Sequence, residues 1–138
     1  IKFTHSNFMD MQQCMALHNG KFDIMQGSDE SLLCGLTLGV QGAIGTSFNF
    51  IPGLFKELIR AFNKGDITKA RELQLRVVGI FERIITYRGG IVAGKAMLKI
   101  AGIDCGPCRS PLRGLTDDEF EAMKKDLEEA GLYSLFGK

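Results

Sequence analysis

The sequence has almost no excess of charge of either sign. Lysine and arginine together number 17 against 16 aspartates and glutamates, so the formal net charge is +1. Nucleic acids and anionic membranes are usually bound by a clear basic excess, and we therefore expect neither as a partner. Hydrophobic residues make up 45% and charged residues 24% of the 138 residues, a balance typical of one globular domain.

Long apolar runs are also missing. Glycine or a charged residue interrupts the apolar stretches well before the roughly 20 residues that a membrane-spanning helix needs. No basic segment followed by an apolar segment opens the chain, as a secretory signal would. A cytoplasmic protein without a membrane partner is the expectation. Because residue 1 is isoleucine and lies in what resembles a strand, we also expect further chain upstream.

Candidate metal ligands and redox residues are few, with two histidines and four cysteines in the sequence. His18 follows Cys14 by four residues, but no third ligand completes a site, so no metal is expected. Cys105 and Cys108 have the spacing of a thioredoxin-type redox pair or of half a zinc site. They lie in a proline-containing stretch without a second such pair, which favours a turn. A thiol or metal-binding module stays an alternative.

The most informative stretch is a short apolar run, Phe22–Gln26, that ends at Gly27 and is followed by Ser28, Asp29 and Glu30. Such a run predicts a buried strand that opens into a helix. Ligands bind at the carboxyl ends of parallel strands, so the two acids are candidate binding residues. The same three polar residues would also suit a helix cap, which on this stretch alone is the favoured interpretation.

The first 50 residues alternate between strand and helix patterns with short loops, which predicts parallel strands joined by right-handed crossovers. The predicted elements are a strand at Ile1–Thr4, a helix at Asn7–Leu17, a strand at Phe22–Gln26, a helix at Asp29–Leu38 and a strand at Val40–Thr46.

After Phe50 the pattern is typical of helices only. Pro52 suits the first turn of one helix, and Asp66 begins the next. A shorter helix is predicted at Ile91–Ala101, a loop at Gly102–Gly114, and a last helix from a capping box at Thr116 to Ala130.

Three parallel strands would leave a sheet with open edges and one bare face, whereas parallel sheets are normally covered or closed. A complete (β/α)₈ barrel needs about 250 residues. We therefore predict an α/β fold in which residues 1–64 form the last three βα units of a TIM barrel, incomplete in this chain. Residues 65–138 are predicted to form a helical extension that packs on the barrel.

Three motifs together resemble the class I pyruvate aldolases of the dihydrodipicolinate synthase and N-acetylneuraminate lyase family. They are Lys2-Phe3-Thr4, Gly27-Ser28-Asp29-Glu30 and the run Gly-Ala-Ile-Gly-Thr-Ser-Phe-Asn at residues 42–49. The second and third motifs are more similar to the N-acetylneuraminate lyase branch than to the synthase branch. The resemblance extends over essentially all 138 residues.

The resemblance implies a role for each matching position. Lys2 matches the lysine that forms a Schiff base with pyruvate, and Thr4 matches the threonine just beyond it. Gly27, Asp29 and Glu30 match positions that hold the hydroxyls of the sugar. Thr46 matches a hydroxyl position that is often serine, and threonine keeps the hydroxyl but adds a methyl group.

The implied activity is the reversible cleavage of N-acetylneuraminate, a sialic acid, to N-acetylmannosamine and pyruvate, with no cofactor beyond the lysine Schiff base. General chemistry agrees, because an iminium nitrogen accepts electrons from the adjacent carbon–carbon bond, and carboxylates accept hydrogen bonds from several hydroxyls. The alternative for Lys2 without a catalytic role is a solvated lysine at a strand end.

The resemblance also implies parts that this sequence lacks. They are a glycine-threonine-threonine-glycine-glutamate loop that binds the pyruvate carboxylate and a tyrosine that transfers a proton, both of which the resemblance places upstream of the lysine. The two tyrosines of this sequence, Tyr87 and Tyr133, do not match that position, because they lie in the predicted extension. The missing N-terminal half of the barrel is thus an expected partner, and the intact enzyme is expected to be a tetramer. The alternatives are another pyruvate-dependent 2-keto acid aldolase, a dihydrodipicolinate synthase-like enzyme, and an inactive barrel fragment.

Overall fold

Two short parallel strands and six α-helices make up the regular structure of residues 1–136, the part of the chain that the computed structural model describes. Strand β1 is Lys2–Phe3 and strand β2 is Met25–Gln26. The helices are α1 (Phe8–Ala16), α2 (Leu32–Leu38), α3 (Pro52–Asn63), α4 (Ile67–Thr86), α5 (Gly89–Ile100) and α6 (Asp117–Glu129). Across these described residues, no helix is both long and apolar enough to cross a membrane.

The two strands have the predicted parallel arrangement. Lys2 lies beside Met25 and Phe3 beside Gln26, and the amide of Gly27 donates to the carbonyl oxygen of Phe3 at 2.7 Å. The predicted strand at Phe22–Gln26 is too long, because Phe22 is 39% exposed and the paired strand begins only at Met25. The last two residues of that stretch therefore form the strand.

The predicted third strand at Val40–Thr46 is wrong as a regular element. Within the described chain it is reduced to an isolated parallel bridge between Gln26 and Ala43. Two backbone hydrogen bonds hold it there: the Gln26 amide donates to Gly42 at 3.0 Å and the Ile44 amide donates to Gln26 at 2.8 Å. Glycine weakens a strand interior, and this segment contains two glycines. The segment nevertheless lies in the place predicted for it, next to β2.

Most helices agree closely with the sequence pattern, but α2 begins at Leu32 and not at Asp29, because Asp29–Ser31 forms a short 3₁₀ helix before it. Asn7 caps α1 through its side chain, Pro52 occupies the first turn of α3, and Asp66 caps α4. Helix α5 begins two residues earlier than predicted, at Gly89, and the loop that follows it is confirmed. The periodic apolar positions of these helices therefore identified their buried faces correctly.

One hydrophobic core joins the strand region to the helices. Met11, Ile24 and Leu32 from the first part of the chain belong to the same buried cluster as residues of α3, α4, α5 and α6. Helix α3 packs along α4, and α4 packs on α5. The division of the chain at residue 64 stays a prediction.

Polar contacts hold helix α6 near its N-terminus and again near its C-terminus. Its N-cap Thr116 and Glu119 form the predicted capping box, and Glu119 pairs with Arg88. The hydrogen bond from the Thr116 backbone amide lowers the pKa of the Glu119 carboxyl, and the charge of Arg88 acts in the same direction. Further along, Arg83 pairs with Asp126 at 3.1 Å. Polar contacts thus fix the direction in which α6 leaves its cap.

We expect the Thr116→Ala variant to lose about 1 kcal/mol of unfolding free energy, because the amide of Glu119 then has no side-chain acceptor at the helix start. Urea unfolding followed by circular dichroism measures the loss. Thr68→Ala is the matched control, since Thr68 is an exposed threonine in the first turn of α4, and its effect should stay within about 0.5 kcal/mol. Equal losses in both variants would contradict the capping role.

Candidate active site

Three of the candidate residues meet where β1 and β2 end. Gly27 follows β2, and a Cβ atom built on it would lie 3.0 Å from Cε of Lys2 and 2.7 Å from the carbonyl oxygen of Phe3. The same atom would overlap the hydroxyl of Thr4. Only glycine permits so close an approach of these two segments of the backbone. The structure therefore brings Lys2, Thr4 and Gly27 together at one edge.

Lys2 itself is exposed. Among the ion pairs that residues 1–136 form, none involves its amine. A lysine that attacks a carbonyl must lose its proton first, which a desolvated pocket favours. The described residues leave Lys2 exposed and do not supply such a pocket.

Asp29 is buried and does not cap a helix. Only 3% of its surface is exposed, and Oδ2 accepts hydrogen bonds from the amide of Ser47 at 2.8 Å and from its hydroxyl at 2.5 Å. Ser28 likewise makes no side-chain capping bond. The capping interpretation of this stretch is therefore wrong. Asp29 instead connects the segment after β2 to the segment after the Ala43 bridge.

Close packing at Gly45 confirms how tightly this connection is built. A Cβ atom at Gly45 would overlap the carboxylate of Asp29, so the chain passes directly over the acid. Both oxygen contacts of Asp29 come from Ser47, two residues further on. Two successive loops are thus joined through one carboxylate.

Glu30 differs from its neighbour in having an unused oxygen. Its side chain is partly buried, and Oε2 has no hydrogen-bond partner among residues 1–136 although it is shielded from solvent. Buried polar atoms normally have partners. A carboxylate oxygen without a partner has an unused capacity to accept a hydrogen bond from a hydroxyl or amide donor.

The side chain of Gln26 is hydrogen-bonded to the acidic segment, residues 28–31, and so holds it in place. This role was missed in the sequence analysis. This residue of β2 is 1% exposed, and its Nε2 donates to the Ser28 carbonyl at 3.3 Å and to the Ser31 hydroxyl at 2.8 Å. A Cβ at Gly35 would come within 3.0 Å of the same amide. A glutamine at the end of a strand predicted to be buried was the available signal. Ser47, also missed, carries no such signal.

Thr46 is exposed and borders a different surface. A Cβ at Gly90 would lie 3.4 Å from the Thr46 methyl group, so the threonine packs on the start of α5. It lines a cleft of about 380 Å³ together with residues that include Phe50, Gly94 and Lys95. The Asp29–Ser47 connection ties it to the acidic segment through the neighbouring residue.

The thiol and histidine alternatives gain no support from the geometry. Cys105 and Cys108 are free thiols in an irregular segment, and the ammonium of Lys95 binds the carbonyl oxygens of Cys105, Gly106 and Pro107 at 3.0, 3.3 and 2.8 Å. Within residues 1–136 no three histidine, cysteine or acidic side chains come together as a metal site.

Comparison with known proteins gives a consistent result. Residues 1–130 match the dihydrodipicolinate synthetase family. An uncharacterized DapA-like lyase of Halobacterium salinarum is 41% identical over 109 residues, which make up 78% of this chain and 35% of that protein. The N-acetylneuraminate lyase of Mus musculus is 31% identical over 133 residues, or 93% of this chain and 42% of that protein.

A solved structure extends the likeness to three dimensions. The N-acetylneuraminate lyase of Proteus mirabilis superposes with a TM-score of 0.88 at 34% identity, and the match covers 95% of this chain and 44% of that one. The chain thus spans about 35–44% of the length of the relatives that it matches. It therefore shares with these relatives the fold of the part of their chains that aligns with it.

Proposed function

The chain belongs to the dihydrodipicolinate synthetase family, and from this premise we propose that it carries the Schiff-base lysine and the sugar-binding residues of a class I pyruvate aldolase. In this proposal, Lys2 is the nucleophile, and Thr4 and Gly27 shape the site around it. The single observation that carries the proposal is the meeting of Lys2, Thr4 and Gly27 at one edge of the strands. An orderly close approach of this kind is what a covalent site needs.

The chemistry assigned to Lys2 is amine addition to the ketone of pyruvate. The lysine nitrogen attacks the carbonyl carbon, and loss of water leaves an iminium. In cleavage, the hydroxyl on the fourth carbon of the 2-keto acid gives its proton to a base, the bond between the third and fourth carbons breaks, and its electron pair passes to the iminium, which leaves an aldehyde and an enamine. Protonation of the enamine and hydrolysis of the resulting iminium release pyruvate and the free lysine, and the reverse sequence forms the bond. No cofactor is needed for this step, because the iminium nitrogen supplies the positive charge.

Binding of the polyhydroxylated part is assigned to the segment after β2. Glu30 has an unused carboxylate oxygen, which suits a donor hydroxyl. One carboxylate oxygen of Asp29 accepts both hydrogen bonds from Ser47. In this proposal that oxygen holds the segment after β2 in place, and the other oxygen accepts a hydrogen bond from the substrate. Thr46 is the remaining candidate contact, from the cleft beside α5.

For the substrate we propose N-acetylneuraminate, cleaved reversibly to N-acetylmannosamine and pyruvate. The murine and Proteus mirabilis lyases, at 31% and 34% identity, support this choice. A second candidate is another pyruvate-dependent aldolase that acts on a different 2-keto acid. The 41% identity to the halobacterial DapA-like lyase favours that broader class.

We further propose that residues 1–64 are the last βα units of a (β/α)₈ barrel and that the remaining strands come from an N-terminal half outside this chain. The exposed Lys2 and the short open sheet are consistent with such a partner. The complete enzyme would be a cytoplasmic homo-oligomer, a tetramer by family likeness. Small molecules, not nucleic acids or membranes, are its partners.

Borohydride trapping tests the proposed function. We expect pyruvate and borohydride to leave a reduced pyruvyl adduct on Lys2, found by peptide mass mapping, when the chain is mixed with an N-terminal half taken from a family member. The chain alone serves as the comparison, and an adduct only in the mixture would support a divided site. The absence of an adduct from a demonstrably folded mixture would overturn the aldolase function.

A further inference from the structure

A glutamine of the helical extension reaches the acidic segment with both ends of its amide. Gln74 lies on α4, and its Oε1 accepts from the amide of Leu33 at 2.8 Å while its Nε2 donates to the carbonyl of Asp29 at 3.3 Å. Its two partners lie 41 and 45 positions earlier in the chain. One side chain thus spans the segment that contains Glu30.

The first of these bonds replaces a missing helix cap. The first amides of an α-helix have no partner within the helix and need an acceptor from elsewhere. Ser31 stands at the N-cap position of α2 but makes no side-chain capping bond, since its hydroxyl is engaged with Gln26 and Ser28. Gln74 supplies the acceptor for Leu33 instead. The start of α2 is therefore fixed by α4.

The second bond fixes the residue before Glu30. Asp29 is held through its carboxylate by Ser47 and through its carbonyl by Gln74. With Leu33 also bound by Gln74, the backbone is held on both sides of Glu30. The carboxylate of Glu30 itself keeps an oxygen without a partner among the described residues. A backbone held on both sides limits the positions that the Glu30 side chain can take, which lowers the entropic cost of binding a ligand there.

We propose that Gln74 is a positioning residue, which holds Glu30 in the orientation that receives the hydroxylated part of the substrate. The inference rests on the proposed function for the identity of the ligand, a polyhydroxylated 2-keto acid or its aldehyde product. It assigns to α4 an indirect part in substrate recognition, through the backbone on either side of Glu30. Lys2 is held separately, by the β1–β2 ladder and by Gly27.

The test compares two substitutions in the chain complemented with an N-terminal half. Gln74→Met keeps the length and removes both hydrogen bonds. Gln74→Glu keeps an acceptor for the Leu33 amide and removes the donor to the Asp29 carbonyl. We expect both to raise the KM for the sugar substrate about tenfold or more, as loss of one or two hydrogen bonds of ordinary strength would. The rate of pyruvate trapping on Lys2 should stay within about twofold.

Amide hydrogen exchange on the chain alone separates positioning from folding. The Leu33 amide should lose protection in Gln74→Met and keep it in Gln74→Glu. Gln12→Met, at an exposed position of α1, is the matched control and should change neither KM nor the Leu33 exchange.

Three results would overturn the inference. An unchanged KM in Gln74→Glu would show that the Asp29 bond does not position Glu30. A parallel fall of trapping and of sugar cleavage in both variants would indicate a purely structural role. If the unsubstituted protein forms no pyruvate adduct, the proposed function fails and this inference fails with it, which the first measurement identifies before any variant is compared.

Discussion

Replacing Lys2 with arginine is expected to abolish the pyruvate adduct and to lower the rate of carbon–carbon cleavage by about 10⁴-fold or more, the scale at which loss of a covalent nucleophile acts. Arginine keeps the positive charge and nearly the length of lysine, but its guanidinium stays protonated and cannot add to a ketone. The exposed setting of Lys2 at the start of β1 accommodates the substitution without a change in packing. The loss would therefore be chemical and not structural.

The measurement is trapping with pyruvate and borohydride, with cleavage followed in parallel in the complemented protein. Lys21→Arg is the control, because Lys21 is also exposed and lies outside the strand ends. It should retain full adduct formation. An adduct that persists on another lysine in Lys2→Arg would show that the nucleophile had been assigned to the wrong residue.

The second large effect is expected from Gly27→Ala. The new Cβ would come within 2.7 Å of the Phe3 carbonyl oxygen and would overlap the Thr4 hydroxyl. The Phe3 carbonyl oxygen belongs to the backbone and accepts a hydrogen bond from the Gly27 amide at 2.7 Å. It therefore cannot move aside without opening the strand pair. We expect a loss of about 1–3 kcal/mol in unfolding free energy and a fall of about 100-fold in pyruvate trapping, since a displacement near 1 Å at a reacting group has that scale.

Gly42→Ala is the matched control for this prediction. Gly42 lies in the neighbouring segment, and a Cβ there would meet only the end of Met25, at 3.8 Å. Trapping in Gly42→Ala should stay within about threefold of the unsubstituted protein, and unfolding by urea should show a loss below about 1 kcal/mol. Equal damage in the two variants would mean that glycine is needed for chain flexibility and not for the approach of Lys2.

The helices of this protein were predictable from sequence because their signals are local. Apolar spacing, a proline at the start of α3 and the side-chain caps at Asn7, Asp66 and Thr116 are each visible within a few residues. The strands were harder. Whether Phe22–Ile24 or Val40–Thr46 joins a ladder depends on which partner backbone lies beside it, and a run of apolar residues cannot show that.

The site was predictable only in part, for the same reason. The approach of Gly27 to Lys2 and Thr4 agrees with the grouping that the resemblance implied, although their roles stay predictions. The bond from Ser47 to Asp29 and the bonds from Gln74 join residues 18 to 45 positions apart. No local pattern distinguishes a serine or glutamine that makes such a bond from one on the surface. The choice of a capping role for Asp29 failed because its carboxylate is used in a tertiary contact.

The capping of α2 by Gln74 also determines when the site can be completed during folding. Helix α2 has seven residues, fewer than the roughly 12–15 that an isolated helix needs to persist in water. Helices α3 and α4 are neighbours in sequence and pack together, so they form through local contacts that assemble early. Because synthesis runs from the N-terminus, Lys2 and Glu30 leave the ribosome before Gln74, and the Leu33 amide has no acceptor from Gln74 until that residue has also emerged. The segment around Glu30 is therefore synthesised early and ordered late.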